Sequence, residues 1–321
     1  MAALPDRSLP EIVDLPQVSV AELDPLLNEE IGVWDRRFAW DFRASADLLR
    51  RFLQIQSLYG CALRVRNEIV GYAYQVCEGR KGLIGDFFVR ADHVTPSNEM
   101  LLLAAIAKSL MLAPGIRRIE SQLMLLHTPL SQAPFSGYLT RHDRYFMSID
   151  GRTALQLPAA QPDIQVTFSP WAERMQEEIA HLVAAAYKGH VDSEINDQYR
   201  TIPGARHFLT NIIKFPGCGH FSPAASMLAI DNRTGRLCGV CLASLVSAHS
   251  GHVTQLCVLP ALHGARLGYE LLRQSLVRLA ELGCTSVSLT VTASNVDAIR
   301  LYESAGFRTE STFPALVWEG F

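Results

Sequence analysis

LHGARLGYELL, residues Leu262–Leu272, sets Gly264 and Gly268 ahead of an apolar-periodic run that reads as a helix. A helix start carries unpaired backbone N–H groups and the positive end of the helix dipole, so glycines that let the backbone approach can make it a seat for phosphate. Glycine also serves plain strand-to-helix turns, and the segment's own residues do not decide between the two. Its neighbours do. HVTQLCVLP before it reads as a strand, and CTSVSLTVT after it alternates Val287, Leu289 and Val291 against Ser288, Thr290 and Thr292. NVDAIRLYESAG then places Asn295 at a strand-to-helix junction and Tyr302 two turns along the same helix face, with Ala298, Leu301 and Ala305 as the apolar stripe and Gly306 as the terminating glycine.

The combined stretch, QLCVLPALHGARLGYELL followed by LTVTASNVDAIRLYESAGF, resembles the acetyl-CoA-binding core of the GNAT superfamily of N-acetyltransferases. The resemblance covers about residues 164–321 and is strongest over Gln255–Phe307. Val258 and Pro260 match the family's V-x-P strand end, and Asn295, Ala298, Leu301, Tyr302, Gly306 and Phe307 match N-x-x-A-x-x-L-Y-x-x-x-G-F. His263 stands where Gln or Arg is usual, Arg266 where the first signature glycine is usual, and Thr290 where some members carry a glutamate base. A requirement for positive φ at Arg266 would carry a conformational cost.

The rest of the chain fits a duplicated architecture. Helical periodicity covers Val20 to Leu53, CALRVRN, IVGYAYQVCE and LIGDFFVR read as strands, and Thr95-Pro96 caps a helix through NEMLLLAAIAKSLML. IRRIESQLML and YFMSID read as further strands, residues 1–19 as an irregular lead-in, and LQLPAAQPDIQ (Leu155–Gln165) as a linker. After it the order repeats: strand IQVTFSPW, helices AERMQEEIAHLVAAAYKG and ARHFLTNII, then SMLAID and RLCGVCLASLV about the turn residues Asn232 to Gly235. The expected fold class is α/β (α+β): two tandem GNAT-like domains, each a mixed, mostly antiparallel twisted sheet flanked by helices. Residues 1–157 would form a degenerate copy, since RADHVTPSNEMLL lacks a glycine loop, and residues 158–321 the domain that binds acetyl-CoA.

Bulk properties narrow the function classes. A chain of 321 residues exceeds the usual single core, and 29 basic against 32 acidic residues argue against nucleic-acid binding by net charge. MLLLAAIAKSLML is shorter than a membrane span and interrupted by Lys108, and the N-terminus has no apolar signal core, so the expectation is a cytoplasmic protein with no membrane partner. Seven cysteines fit reduced thiols, and Cys238 and Cys241, three apart in a strand, should point to opposite faces, so no metal is expected.

What the resemblance implies is acyl transfer from acetyl-CoA, or another acyl-CoA, to a small-molecule or peptide amine by direct attack in a ternary complex. Backbone at Leu256, Cys257 and Val258 would hold the pantetheine arm, with the Val258 N–H on the thioester oxygen. His263, Gly264, Ala265, Arg266, Leu267, Gly268 and Tyr269 would hold the pyrophosphate, Asn295 would bond the pantetheine region, and Tyr302 would protonate the sulfur. The polar segment Gly189–Phe208 lies where the acceptor would bind. It offers Asp192 and Glu194 to draw or deprotonate an amine and Tyr199 as a wall, while His252 and Gln255 are further candidates for base or substrate contact. A non-catalytic acyl-CoA-binding module and a two-domain interaction scaffold are the competing classes.

Overall fold

Two hairpin-forming positions show how local chemistry starts the first sheet: Arg66 and Asn67 both take positive φ (50° and 69°), the backbone of a tight turn whose twist matches its flanking strands. The structure is a computed structural model and describes residues 9–130, 133–215 and 217–321. Part of the expected lead-in lies outside the described residues. The remainder is not irregular, because Glu11–Asp14 (β1) pairs antiparallel with Tyr59–Val65 (β2).

Contacts divide the chain into two compact units. The first comprises Met1–Arg37, Phe42–Asp143 and Phe313–Phe321; the second comprises Phe38–Asp41 and Arg144–Thr312. The expectation set one boundary between residues 157 and 158, but each unit takes residues from the other end of the chain. The physical reason is strand pairing, since Ala315–Glu319 pairs with the last inner strand of the first unit and Arg144–Asp150 with the last inner strand of the second.

In the first unit helices Val20–Phe38 (α1) and Arg43–Gln54 (α2) precede β2, Glu68–Glu78 (β3) and Lys81–Val89 (β4). Pro96–Leu112 (α3) then leads to Arg118–Gln122 (β5), which lies parallel to β4. Thr95 caps α3 by accepting the Asn98 N–H at 3.2 Å, with Pro96 in the first turn. Leu102, Leu103, Ile106 and Leu110 of α3 are fully buried against Phe87, Ile119 and Trp318, each contributing about 1.5–3 kcal/mol.

The second unit runs through Leu139–Asp150 (β6, from residue 144), Gly151–Leu155 (α4), Val166–Pro170 (β7), Gln176–Ala186 (α5), Asp192–Ile195 (α6) and Ile202–Lys214 (α7). His220–Phe221 (β8), Met227–Asp231 (β9), Leu237–Ser247 (β10), Ser250–Val258 (β11), Leu267–Glu281 (α8), Ser286–Thr292 (β12), Val296–Ser304 (α9) and Arg308–Glu319 (β13) complete it, the end of β13 belonging to the first unit. Its strand order is β6-β12-β11-β10-β9-β7, with only β11 and β12 parallel. Parallel neighbours need a crossover, and α8 supplies it with Leu267, Leu271, Leu272, Leu276 and Leu279 buried.

Both units therefore build one motif: an antiparallel set, a helical crossover and a parallel neighbour. Each also carries a bulge in the strand before the crossover, at Gly85 opposite Tyr74/Gln75 and at Thr254 opposite Leu242/Ala243. The expected linker is docked rather than loose, since Ala160 N–H donates to Glu270 Oε2 (3.0 Å), Tyr269 Oη to the Pro158 carbonyl (3.0 Å) and Asp163 N–H to the Ala265 carbonyl (3.1 Å). Cys238 and Cys241 do not face opposite ways. A register shift between Leu237 and Gly239 turns both into one core cluster.

Candidate active site

The bulge at Thr254 sets the site. It leaves β11 paired to β10 as far as Val258, whereas pairing with β12 stops at Val253↔Leu289. A bulge bends its strand and increases local twist, so the two parallel strands part beyond this point. Leu259 N–H donates to the Cys238 carbonyl across β10 (3.0 Å), and by alternation the N–H groups of Val258 and Leu256 point to the open edge. Cys257 turns its side chain into the α5/α7 core, while Val258 packs in the α8 core.

The edge runs into the glycine turn. Gly264 and Arg266 adopt positive φ (81° and 60°), which aims successive N–H groups outward. Arg266 precedes the first turn of α8 without a side-chain cap, and no acceptor among the described residues closes the N–H groups of Leu267, Gly268 and Tyr269. A Cβ on Gly268 would meet only Leu301 and Val258 at ordinary contact distance, so protein packing does not require glycine there. The Arg266 guanidinium pairs with Asp163, and His263 Nε2 lies 3.2 Å from the Val258 carbonyl. Ala265 holds Asp163 through its carbonyl, Leu267 is core, and the Tyr269 hydroxyl is spent on Pro158.

On the other side of the edge stands α9. Asn295 Oδ1 caps it by accepting the Ala298 N–H (3.3 Å), and its Nδ2 lies 3.2 Å from His190 Nε2. His190 Nδ1 is 3.1 Å from the Asp192 backbone nitrogen, and Asp192 Oδ1 accepts the Thr292 hydroxyl. Tyr302 is 8% exposed and its hydroxyl has no hydrogen-bond partner among the described residues. Burial pushes its pKa well up, with Cys241 and Asp192 adding to the effect, so it stays a protonated phenol near neutrality.

An aromatic cluster packs against His190, next to Asp192. Tyr187 stacks on Tyr199 with centroids 4.6 Å apart and meets His190 edge-on, while Phe208 packs edge-on against Tyr199. The Tyr199 hydroxyl donates to Gln255 Oε1 at 3.4 Å. His252 lies on the same strand face but deeper: its Nδ1 is 2.9 Å from Ser288 Oγ, and Trp40 covers it at 5.0 Å. Burial, with the nearby Arg144 charge, lowers its pKa to about 4, which makes it a weak base. Glu194 is exposed on α6, whereas Asp192 turns inward.

The structure thus brings Asp192, Gln255, Asn295 and Tyr302 to one region and adds residues the sequence reading passed over: His190, Thr292, Trp40 and Arg144. FAWDF, after α1, was the available signal for Trp40. Nothing local marks Arg144.

The profile of the acetyltransferase (GNAT) family matches residues 193–307. This segment is a GNAT-family domain. Solved structures extend the likeness to the full chain. A GCN5-related N-acetyltransferase from Sphaerobacter thermophilus is 17% identical, with 98% of this chain and 96% of that chain covered at a TM-score of 0.64. A tandem GNAT protein from the clavulanic acid biosynthesis pathway is 13% identical, covering 97% and 98% at 0.57. A glucosamine N-acetyltransferase region of a fungal multi-domain GH3 β-N-acetylglucosaminidase is 14% identical, covering 97% of this chain and 38% of that one at 0.60. At these identities the neighbours share the fold, and the GNAT fold here is a tandem one. No curated protein sequence matches the chain.

Proposed function

We propose that the protein is an acyl-CoA-dependent N-acyltransferase whose acceptor is a primary amine. The observation that carries this reading is the junction of an unpaired β11 edge with the uncapped N-terminus of α8, beside a buried phenol without a partner. An extended pantetheine arm needs strand-like N–H and C=O partners, and a pyrophosphate needs clustered N–H donors; the edge at Leu256–Val258 and the turn Gly264–Tyr269 present both. Acetyl-CoA supplies the acyl group as a thioester.

The chain's own residues do the rest. The Val258 N–H stabilises charge developing on the carbonyl oxygen, and Tyr302 gives its proton to the departing sulfur. Asp192, held by the Thr292 hydroxyl, draws the amine and takes the proton lost as its nitrogen forms the new bond to carbon. Asn295 orients His190 beside it. Tyr187, Tyr199 and Trp40 exclude water.

Only one unit is fitted for this. In the first unit Asn98 N–H at the start of α3 is already capped, Pro96 has no N–H, and the buried carboxylate of Glu99, in that first turn, accepts the N–H groups of His127 and Thr128 from the segment after β5. The bulge at Gly85 is filled by the Tyr74 ring, which a Cβ there would strike at 2.1 Å. A single equivalent of acetyl-CoA per chain is expected by calorimetry; two equivalents would contradict this assignment.

Tyr302→Phe tests the chemistry. Thiol release from acetyl-CoA with an accepting amine should fall roughly a hundredfold or more, while the acetyl-CoA Kd stays within about twofold. Equal losses in both would remove Tyr302 from its role as acid.

A further inference from the structure

Arg144 is an unusual group in this unit. It is 8% exposed, its Nη2 donates to Thr290 Oγ1 at 3.1 Å, and its Nε has no hydrogen-bond partner. No carboxylate among the described residues pairs with it. A buried guanidinium without a counter-ion is costly to desolvate, so such a group persists where an anion meets it. Its position is the second observation. Arg144 lies directly across from Thr292 in the β6–β12 register, and Thr292 is the residue that holds Asp192. Its charge is felt by His252, Tyr199 and Tyr302. Gln255 Nε2 on β11 and Ser244 Oγ on β10 are likewise buried and unpartnered, on the sheet face that carries His252.

Two of these unpartnered donors, the Arg144 Nε–H and the Gln255 amide NH2, therefore lie on the sheet face that carries Thr292, the residue bonded to Asp192. Donors of this kind recognise acceptor oxygens, and a guanidinium edge with Nε free and Nη2 bonded to only one partner suits the planar fork of a carboxylate. Asp192, bonded to the Thr292 hydroxyl, supplies the opposite charge and forms no ion pair with Arg144.

We propose that the acceptor is an amino acid or a similar small amine bearing a carboxylate, its ammonium drawn to Asp192 and its carboxylate bound by Arg144 with Gln255. This rests on the acyltransferase reading above and narrows it to a substrate class. The ammonium first loses one proton to solvent; the free amine nitrogen then bonds to the acyl carbon as its second proton passes to Asp192, the carbon–sulfur bond breaks with Tyr302 protonating the sulfur, and the carboxylate is unchanged.

Matched pairs of amines test it: amino acids and their decarboxylated counterparts, given acetyl-CoA, with thiol release as the readout. The carboxylated member should have the higher kcat/KM, by about 10- to 100-fold, and Arg144→Met should erase that preference by raising KM while leaving the acetyl-CoA Kd unchanged. Melting temperature serves as the control for folding. Removing an unpaired buried charge should leave it equal or higher, and an excess of simple carboxylate should raise it for the wild type but not for Arg144→Met. Equal turnover of both members of each pair overturns the substrate class and leaves the acyltransferase reading standing. So does a carboxylate preference that survives in Arg144→Met. Failure to bind acetyl-CoA overturns both. Preference for phosphorylated over carboxylated amines, lost in Arg144→Met, would overturn the carboxylate in favour of a phosphate.

Discussion

At Arg266 the backbone and the side chain serve different ends. Its φ of 60° is the left-handed conformation that glycine adopts freely and other residues hold at about 1 kcal/mol or more, and the family's glycine at this place reflects that preference. The side chain adds an ion pair with Asp163, but both partners are more than half exposed, which limits it to a few tenths of a kcal/mol up to about 1. The two effects nearly cancel. Arg266→Gly should leave thermal stability equal or slightly higher, and a loss above about 1 kcal/mol in denaturant titration would show that the ion pair outweighs the backbone cost. In the sequence Arg266 looked like a departure from a glycine pattern. Its engagement with Asp163, far away in the chain, was not legible, because it depends on the docking of the segment after α4.

Among the elements, α9 was the most legible and the β11–β12 opening the least. Asn295, Tyr302 and Gly306 are fixed by helical spacing alone, and the structure places them as cap, buried face and terminus. Loss of the cap in Asn295→Ala should cost about 1 kcal/mol, and Asn295→Asp, which keeps the acceptor oxygen, should recover most of it. Chemical denaturation distinguishes these outcomes, and equal stability of all three proteins would show that the cap carries no weight. By contrast, alternation in HVTQLCVLP and CTSVSLTVT identifies strands but says nothing of a bulge at Thr254, since a bulge appears only against a partner strand. His190 and Arg144 escaped for a related reason. Each reaches the site through a turn or a strand pairing rather than through its own neighbours.

Across the whole molecule the duplicated order of elements could be read from periodicity, yet the exchange of terminal strands could not. YFMSID reads as a strand that could have completed its own half, and nothing in its residues or in those after Gly306 shows that Arg144–Asp150 pairs in the second unit and Ala315–Glu319 in the first. The folded chain also titrates as a whole. His252 has its pKa lowered from 6.5 to about 4 by burial, so the native state resists a proton that the unfolded chain takes up readily. Stability from this group is therefore present above about pH 6.5 and declines as pH falls towards 4, by roughly 3 kcal/mol in full. His252→Gln should flatten that part of the pH–stability curve; an unchanged slope between pH 6.5 and 4 would mean that His252 is not held neutral by the fold.

Transfer of an acyl group is the property on which the proposed function rests. The most direct measurement incubates the protein with acetyl-CoA labelled in its acetyl group and a panel of amino acids, then follows free thiol and the mass of the amine. Stoichiometric thiol and a labelled acetyl group on the amine nitrogen are expected, with both rates falling together by roughly a hundredfold or more in Tyr302→Phe. Acetyl-CoA that binds but is never cleaved in the presence of any amine would contradict that function and leave a binding module in its place.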